Sequence, residues 1–205
     1  MTRLSIAINL DRCVGCHTCT MACKMQNNVP EGLLWNRVLT SNCDVVDGAE
    51  GSYPNVSRVY TPVACQHCQN AACQRVCPTG ATYKDELGRV EIDYDKCIGC
   101  RMCMAACPYN ARVFNWQTPV RTTGANYGGA DVPVRPKGVA EKCTLCKERT
   151  DAGEAPMCVV CCPAHARIFG DLDDPESEIS RLVLERHAYQ LLETMGTEPS
   201  VRYFD

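Results

Sequence analysis

No stretch of this chain approaches the roughly eighteen uninterrupted apolar residues of a membrane-crossing helix, so no span is expected. The opening MTRLSIAINLDRC holds neither the apolar core of a signal peptide nor a twin-arginine pair, which predicts that export, where it occurs, is carried by another chain. A basic excess is missing too. Lys and Arg number 21 against 24 Asp and Glu, a formal net charge of −3, whereas a nucleic-acid partner calls for a basic face. Nor is there any signature of a nucleophile, a general base or a substrate pocket that would do bond chemistry. The hydrophobic share is 45%, but it includes 18 cysteines, so the apolar residues left for an ordinary core are few. With 205 residues there is room for one domain or two small ones.

What the chain has instead is cysteine at a repeated spacing. In DKCIGCRMCMAACP, Cys97, Cys100, Cys103 and Cys107 follow C-x2-C-x2-C-x3-C-P, the bacterial-ferredoxin run for an iron–sulfur cubane. Three thiolates at two-residue intervals let a short loop wrap three corners of the cube, with Gly99 giving a backbone position free of Cβ crowding. Cys107 lies a helical turn further on and, in two-cluster proteins, ligates the other cluster, so every such motif needs a partner. Pro108 then stops the helix. A zinc ribbon uses two C-x2-C pairs instead, and a disulfide framework does not explain two-residue spacings closed by proline.

The pattern recurs. DRCVGCHTCTMAC carries Cys13, Cys16, Cys19 and Cys23 and matches the run above beyond its cysteines, an internal duplication. Lys24 replaces the proline, so the helix is expected to continue for a turn before Pro30. CQHCQNAACQRVCP spaces Cys65, Cys68, Cys73 and Cys77 as x2, x4, x3, with His67 inside the wrap, expected to donate to a sulfide or a backbone carbonyl rather than displace a thiolate. The fourth set is Cys143 and Cys146, then, after eleven residues, Cys158 and Cys162 before Pro163, leaving Cys161 spare. Cys43 has no companion and is read as an inert thiol. The pattern C-P-x-x-A returns at Cys77–Ala81, Cys107–Ala111 and Cys162–Ala166, and in the last two Arg112 and Arg167 follow, each opening a short strand. Gly80, Asn110 and His165 share one place in it and tolerate left-handed backbone, so the common demand is conformational.

Between the motifs, Leu4 to Leu10 alternates as a strand with Leu4, Ile6, Ile8 and Leu10 on one face. Leu33–Leu39 and Val56–Val63 read as strands around a Gly-Asp loop, Asp44 to Tyr53, with Trp35 and Tyr60 as packing residues. A hairpin joins Ala81–Lys84 to Arg89–Ile92. Gln117 to Gly138 is an excursion across the surface or against another subunit. From Asp171 a cap follows: a helix begun by Asp174 and Pro175, with Ile179, Leu182, Val183, Tyr189 and Leu192 on its apolar face, ending at Gly196, then Val201–Phe204 as a terminal strand or interface strip. Arg12, Lys24, Lys96, Arg101, Lys142, Lys147 and Arg149 stand beside cysteines, either as solvated surface or as compensation that raises cluster potentials. Four oxidised cubanes with their thiolates would add roughly −8 to the charge, and a chain so built depends on its metal to fold.

Sixteen of the 18 cysteines thus form four sets of four. With the two insertions and the cap, the chain resembles over essentially its whole length, GDLDDPESEISRL included, the four-cluster electron-transfer (beta) subunit of molybdopterin oxidoreductases of the dimethyl sulfoxide and polysulfide reductase family. The resemblance implies an α+β fold of two interleaved bacterial-ferredoxin-like modules with a β-rich insertion and a C-terminal capping helix. Residues 1–23 with 140–170 would form the first module and 64–112 the second; 24–63 and 113–139 would be insertions and 171–205 the cap. It implies four 4Fe-4S clusters, the first motif pairing with the fourth and the second with the third. Cluster 1 takes Cys13, Cys16, Cys19 and Cys162; cluster 2 takes Cys143, Cys146, Cys158 and Cys23. Cluster 3 takes Cys97, Cys100, Cys103 and Cys77; cluster 4 takes Cys65, Cys68, Cys73 and Cys107. Cys161 is an alternative to Cys158 or Cys162, against which the x3 spacing and Pro163 speak.

The resemblance also sets the cluster of Cys13 nearest a large molybdopterin (Mo or W) catalytic subunit and that of Cys65 at the far end, next to a membrane quinol subunit where one exists. The implied role is a non-catalytic electron wire, membrane-associated through its partners, exported with the catalytic subunit or else cytoplasmic. The alternatives are a freestanding polyferredoxin carrier and a zinc or disulfide interaction scaffold.

Overall fold

A computed structural model describes residues 2–40, 50–119 and 127–205 of the chain. Cys43, most of the expected Asp44–Tyr53 loop and part of the expected excursion lie outside the described residues. The chain enters as β1 (Leu4–Asn9), and the first three cysteines lead into α1 (Thr18–Gln26). That helix runs three residues past Cys23, as a lysine in place of proline allows. The first insertion departs from expectation. Its first strand, β2 (Arg37–Thr40), is shorter and later than Leu33–Leu39, and the expected single strand from Val56 to Val63 is split. An exposed hairpin pairs β3 (Glu50–Ser52) with β4 (Asn55–Ser57), while β5 (Tyr60–Val63) pairs antiparallel with β2. The two halves serve different partners, so one straight strand cannot supply both.

The second motif leads through α2 (Ala72–Arg75) into the expected hairpin of β6 (Thr82–Lys84) and β7 (Val90–Ile92). The Asp85 carboxylate fixes its turn by accepting from the Leu87 and Arg89 amides at 3.1 and 2.8 Å. The third motif carries α3 (Met102–Ala105), then β8 (Val113–Phe114), which pairs with β9 (Ala140–Glu141) across the second insertion. That insertion is tied to the end of α1: the Gly129 amide donates to the Gln26 carbonyl at 3.1 Å, and Arg135 Nε donates to the Asn27 carbonyl at 2.8 Å while its guanidinium lies 4.7 Å from the centroid of the buried Trp35 ring. The fourth motif holds α4 (Lys147–Asp151) and α5 (Met157–Val160) and leads into β10 (Arg167–Asp171).

The cap contains α6 (Glu178–Glu185) and closes with β11 (Arg202–Phe204). It differs from expectation at both ends of its helix. The N-cap is Ser177, whose Oγ accepts from the Ser180 amide at 3.2 Å; Asp174 instead turns the chain before it by accepting from the Glu176 amide at 3.0 Å. The helix stops at Glu185, far short of Gly196, because the next residues bond to β11: the amides of Tyr189 and Tyr203 each donate to the other's carbonyl, at 2.8 and 2.9 Å. Tyr189 and Leu192 therefore leave the helical face and are exposed. Gly196, at φ +61°, closes a 3-10 turn over Glu193–Met195 instead. The terminal segment is a strand, parallel to β1.

The main sheet has the order β10-β1-β11 with β1 central. Ile6, Ile8 and Leu10 pack with Leu145, Cys158, Val201 and Tyr203 on the side of the cysteines. The other face of β1 is buried too, Ala7 meeting Ile179 and Phe204 beneath α6. Alternation with a small residue, SIAI, is what permits this: a helix can approach Ala7 closely. Gly170 does the same on β10, where a Cβ would lie 2.9 Å from Ile179 Cγ2. No helix among the described residues is long and apolar enough to cross a membrane. Because Ile179 is completely buried, Ile179→Ala is expected to cost about 2–5 kcal/mol. Limited proteolysis should then cut within residues 172–205 first; unchanged resistance there would show that the cap is held by other contacts.

Candidate metal centres

The duplicated cysteine loops repeat in backbone as well as in sequence. In the first, Gly15 and His17 have φ of +67° and +58°; in the third, Gly99 and Arg101 have +69° and +61°, and His17 and Arg101 are the N-caps of α1 and α3. Two left-handed residues flanking the second cysteine curl each loop so that three sulfurs face one space. A side chain at Gly15 would overlap the Tyr60 ring, and one at Gly99 the Gly138 carbonyl. The expected left-handed place in C-P-x-x-A is present in all three copies, Gly80 at +66°, Asn110 at +47° and His165 at +48°. The alanine that follows, Ala81, Ala111 or Ala166, is buried each time.

These turns surround four cavities, each of about 340 to 470 Å³ including the part open to solvent. Cys13, Cys16, Cys19 and Cys162 line one; Cys23, Cys143, Cys146 and Cys158 line the next. Cys65, Cys68, Cys73 and Cys107 line the third, and Cys77, Cys97, Cys100 and Cys103 the fourth. Cys161 lines none of these four; its thiol faces the Thr18 carbonyl at 3.9 Å.

Shared walls give the cavities an order. Arg167 borders the Cys13 and Cys143 cavities, Cys65 and Gln66 border the Cys143 and Cys65 cavities, and Arg112 borders the Cys65 and Cys97 cavities. The row therefore runs Cys13, Cys143, Cys65, Cys97. This corrects the expectation that the Cys65 site is terminal: it is internal, because Cys65 itself lies in the wall toward Cys143, and the far end is the Cys97 site. Among the described residues Cys16 and Cys100, at the two ends, are the exposed cysteines; all four of the Cys143 site are buried, and the four of the Cys65 site are half-buried.

The sulfurs crowd one another. Burial, then the neighbouring sulfurs of Cys143, Cys146 and Cys158, holds the Cys23 thiol well above its ordinary pKa. Burial and the sulfur of Cys65 push Cys68 up to about 12. Cys77 is the reverse: burial opposes ionisation, yet donors from Thr82 and Thr79 bring it down to about 7, the Thr82 amide lying 3.4 Å from its sulfur. Other donors aim at sulfur too: the Leu145 amide at Cys143 at 3.3 Å, the Ala166 amide at Cys162 at 3.4 Å, and Asn27 Nδ2 at Cys23 and Cys146 at 3.7 and 3.6 Å. His67 accepts at Nδ1 from the Val90 amide at 3.0 Å, so the ring is neutral with its proton on Nε2, which is buried and donates to no carbonyl of the described residues. Burial, then the charge of Lys142, keeps its pKa well below the usual histidine value.

The donor sets fit an iron–sulfur cluster. Each cavity offers at least four cysteine sulfurs, the Cys143 cavity a fifth from Cys65 in its shared wall, and lies beside donors that favour thiolate; no disulfide joins the described cysteines. No trio of His, Cys, Asp or Glu among the described residues is gathered around a single metal ion. Family models give the same chemistry: that of the 4Fe-4S dicluster domain matches residues 56–123 and 132–172, and a 4Fe-4S binding domain matches 10–26. The chain is 53% identical over 211 residues to a Halobacterium salinarum protein named as a "Putative dimethyl sulfoxide reductase iron-sulfur subunit", spanning 100% of this chain and 80% of that one. It is 39% identical to the arsenate respiratory reductase iron-sulfur subunit ArrB of a Shewanella species, over 98% of this chain and 95% of the relative. A selenate reductase subunit of Mesobacillus selenatarsenatis is 41% identical, over 97% and 70%. The chain belongs to this family of 4Fe-4S iron–sulfur subunits.

As an iron–sulfur subunit it is an electron-transfer protein carrying four 4Fe-4S clusters. Several of its site residues carry no cysteine motif and escape a reading by spacing. Thr197, Val201 and Tyr203 of the cap line cavity walls, and the Ser200 amide donates to the Gln66 carbonyl at 2.9 Å while its hydroxyl donates to the His67 carbonyl at 2.8 Å. The flanking bases also sort differently from expectation. Lys96 pairs with Asp93 at 2.8 Å and Arg149 with Glu154 at 2.9 Å, but Lys142 is fully buried and gives its ammonium to the carbonyls of Val90 and Cys143. The signal for the buried arginines was the residue after C-P-x-x-A. Because φ at Gly99 is +69° and a Cβ there meets backbone, Gly99→Ala is expected to lose the Cys97 cluster alone, about four irons per chain. Wild-type iron content in that variant would show that the loop accommodates a side chain.

Proposed function

We propose that this iron–sulfur subunit is the wire of an oxidoreductase complex, relaying electrons to or from a large subunit that carries a molybdopterin with Mo or W. The observation that carries the reading is the row of four cysteine-lined cavities with shared walls and exposed cysteines at both ends. In it, Cys13, Cys16, Cys19 and Cys162 hold cluster 1, and Cys143, Cys146, Cys158 and Cys23 hold cluster 2. Cys65, Cys68, Cys73 and Cys107 hold cluster 4, and Cys97, Cys100, Cys103 and Cys77 hold cluster 3 at the far end. Each two-cluster module then exchanges one cysteine between its two motifs, which is the interleaved ferredoxin arrangement. When bound, the clusters supply one-electron redox chemistry, tuned by nearby charge, hydrogen bonds to sulfur and solvent access. The chain's own part is to hold them apart at fixed positions, bury the cysteines of the Cys143 site, and aim amides, Asn27 and the two wall arginines at sulfur.

The names of the relatives bear on the partners. Relatives of this chain are named as subunits of dimethyl sulfoxide, arsenate and selenate reductases, which supports a substrate set by the catalytic partner, docked at the Cys13 end. A menaquinone reductase iron–sulfur cluster-binding subunit of Nitratidesulfovibrio vulgaris is 38% identical, which supports a membrane quinol subunit at the Cys97 end. A freestanding carrier is distinguished by purification: the wire should co-purify with a pterin-containing large subunit, and isolation as an active monomer would overturn the assignment.

Iron and acid-labile sulfide should each come to about sixteen per chain, against the zinc that a ribbon scaffold would hold. The ligand exchange has its own test. Cys77→Ser is expected to alter the EPR signal of the Cys97 cluster and spare that of the Cys65 cluster; the reverse pattern would exchange the two assignments.

A further inference from the structure

Two arginines stand where neither family pattern nor cysteine spacing assigns them a role. Each follows a C-P-x-x-A segment, Arg112 after Cys107–Ala111 and Arg167 after Cys162–Ala166, and each is buried, at 3% and 6% exposure. Among the described residues neither forms an ion pair with a carboxylate. Each guanidinium instead forms part of the wall between two cavities, Arg167 between the Cys13 and Cys143 sites and Arg112 between the Cys65 and Cys97 sites.

The sulfurs they face are equivalent. Arg167 reaches Cys19 with Nη2 at 3.4 Å and Cys158 with Nη1 at 3.6 Å, the third cysteine of the first motif and of the fourth. Arg112 lies beside Cys73 and Cys103, the third cysteines of the second and third motifs. It lines the Cys65 cavity with Cys73 on one side and the Cys97 cavity with Cys103 on the other. All three nitrogens of Arg112 are buried, and no oxygen or nitrogen of the described residues accepts from them; the sulfurs of Cys73 and Cys103 face them. A buried charge left so is unfavourable unless something in the adjoining cavities accepts from it. In the remaining copy of the segment the uncharged Thr82 takes the arginine's place, its amide 3.4 Å from the sulfur of Cys77. A planar, permanently charged fork can serve two acceptors at once; the buried Lys142 is committed to two carbonyls, and the buried Arg89 to Asp85 and Asp151.

We propose that Arg112 and Arg167 are positioning residues, one in each two-cluster module, and that each raises the reduction potentials of both clusters beside it. The proposal rests on the ligand sets given above. A fixed positive charge and N–H donors directed at sulfur stabilise the more negative, reduced state. One residue shared by two neighbours shifts both in the same sense, raising the pair relative to the rest of the row while leaving the step between them little changed.

The test is an EPR-monitored redox titration of the whole complex carrying Arg112→Gln or Arg167→Gln. Arg112→Gln is expected to move the one-electron equilibria of the Cys65 and Cys97 clusters about tenfold toward the oxidised form, about 59 mV each, with the Cys13 and Cys143 clusters unmoved. Arg167→Gln should do the converse, and Arg→Lys at either position should restore part of the shift. All sixteen proposed cysteine ligands remain in these variants, so sixteen irons with unchanged potentials would overturn the arginine role and leave the ligand sets standing, whereas failure of the ligand sets shows separately in Cys77→Ser. A shift spread equally over all four clusters would also overturn it. Should a glutamine variant lose clusters, the lysine variant decides: unchanged potentials, or loss of clusters there too, would make the arginine a structural residue only.

Discussion

The structure depends on one unfavourable juxtaposition, sulfur against sulfur in places with little water. At Cys23, Cys143 and Cys158 burial and the neighbouring sulfurs both oppose ionisation, and thiolates are what iron requires. Cationic iron reverses that balance, so metal binding and folding are one free-energy change. This explains how 205 residues with short helices and mostly two-stranded sheets hold together. The small apolar clusters contain cysteines themselves: Cys19 and Cys158 sit in the largest, Cys23 and Cys143 in the next. The protein packs around its clusters rather than beside them.

The same charge logic extends to three of the five buried cations, Arg89 being held by Asp85 and Asp151 and Arg135 by Asn27 and Tyr94. Arg167, Lys142 and Arg112 lie along the row, and none of the three owes its place to a carboxylate partner. Arg167 and Arg112 reach sulfur from positions that the repeat makes equivalent, while Lys142 is held by backbone between Val90 and Cys143. The exposed bases near cysteines, Lys96 and Arg149 among them, are neutralised locally by Asp93 and Glu154. Compensation therefore comes from inside the wire rather than from its surface.

Much of the site was legible because a cubane constrains a chain locally. Spacings of two residues, a glycine at the loop and a proline after the fourth cysteine record loop geometry that any such cluster imposes, and His17, Arg101, Asn110 and His165 take the left-handed backbone accordingly. The strand at Leu4 and the hairpin around Asp85 were legible for a similar reason, since alternation and turn chemistry act within a few residues. The strand after Val56 was not, because its halves pair with two different earlier strands, β3 for the first half and β2 for the second. The cap helix was misjudged at its end because Tyr189 finds a partner in Tyr203, and no local propensity registers a bond made to a terminal strand.

By itself, then, the sequence determined the chemistry: sixteen cysteines in four quartets, the duplicated loops and the family of iron–sulfur subunits, all consequences of short-range spacing. Only the tertiary structure decided the order of the sites. Spacing shows which sulfurs can share a cube but carries no information on which cubes are neighbours, and it is the placing of Cys65 in the wall toward Cys143, with Arg167 and Arg112 in the other two walls, that puts the Cys65 site inside the row and the Cys97 site at its end.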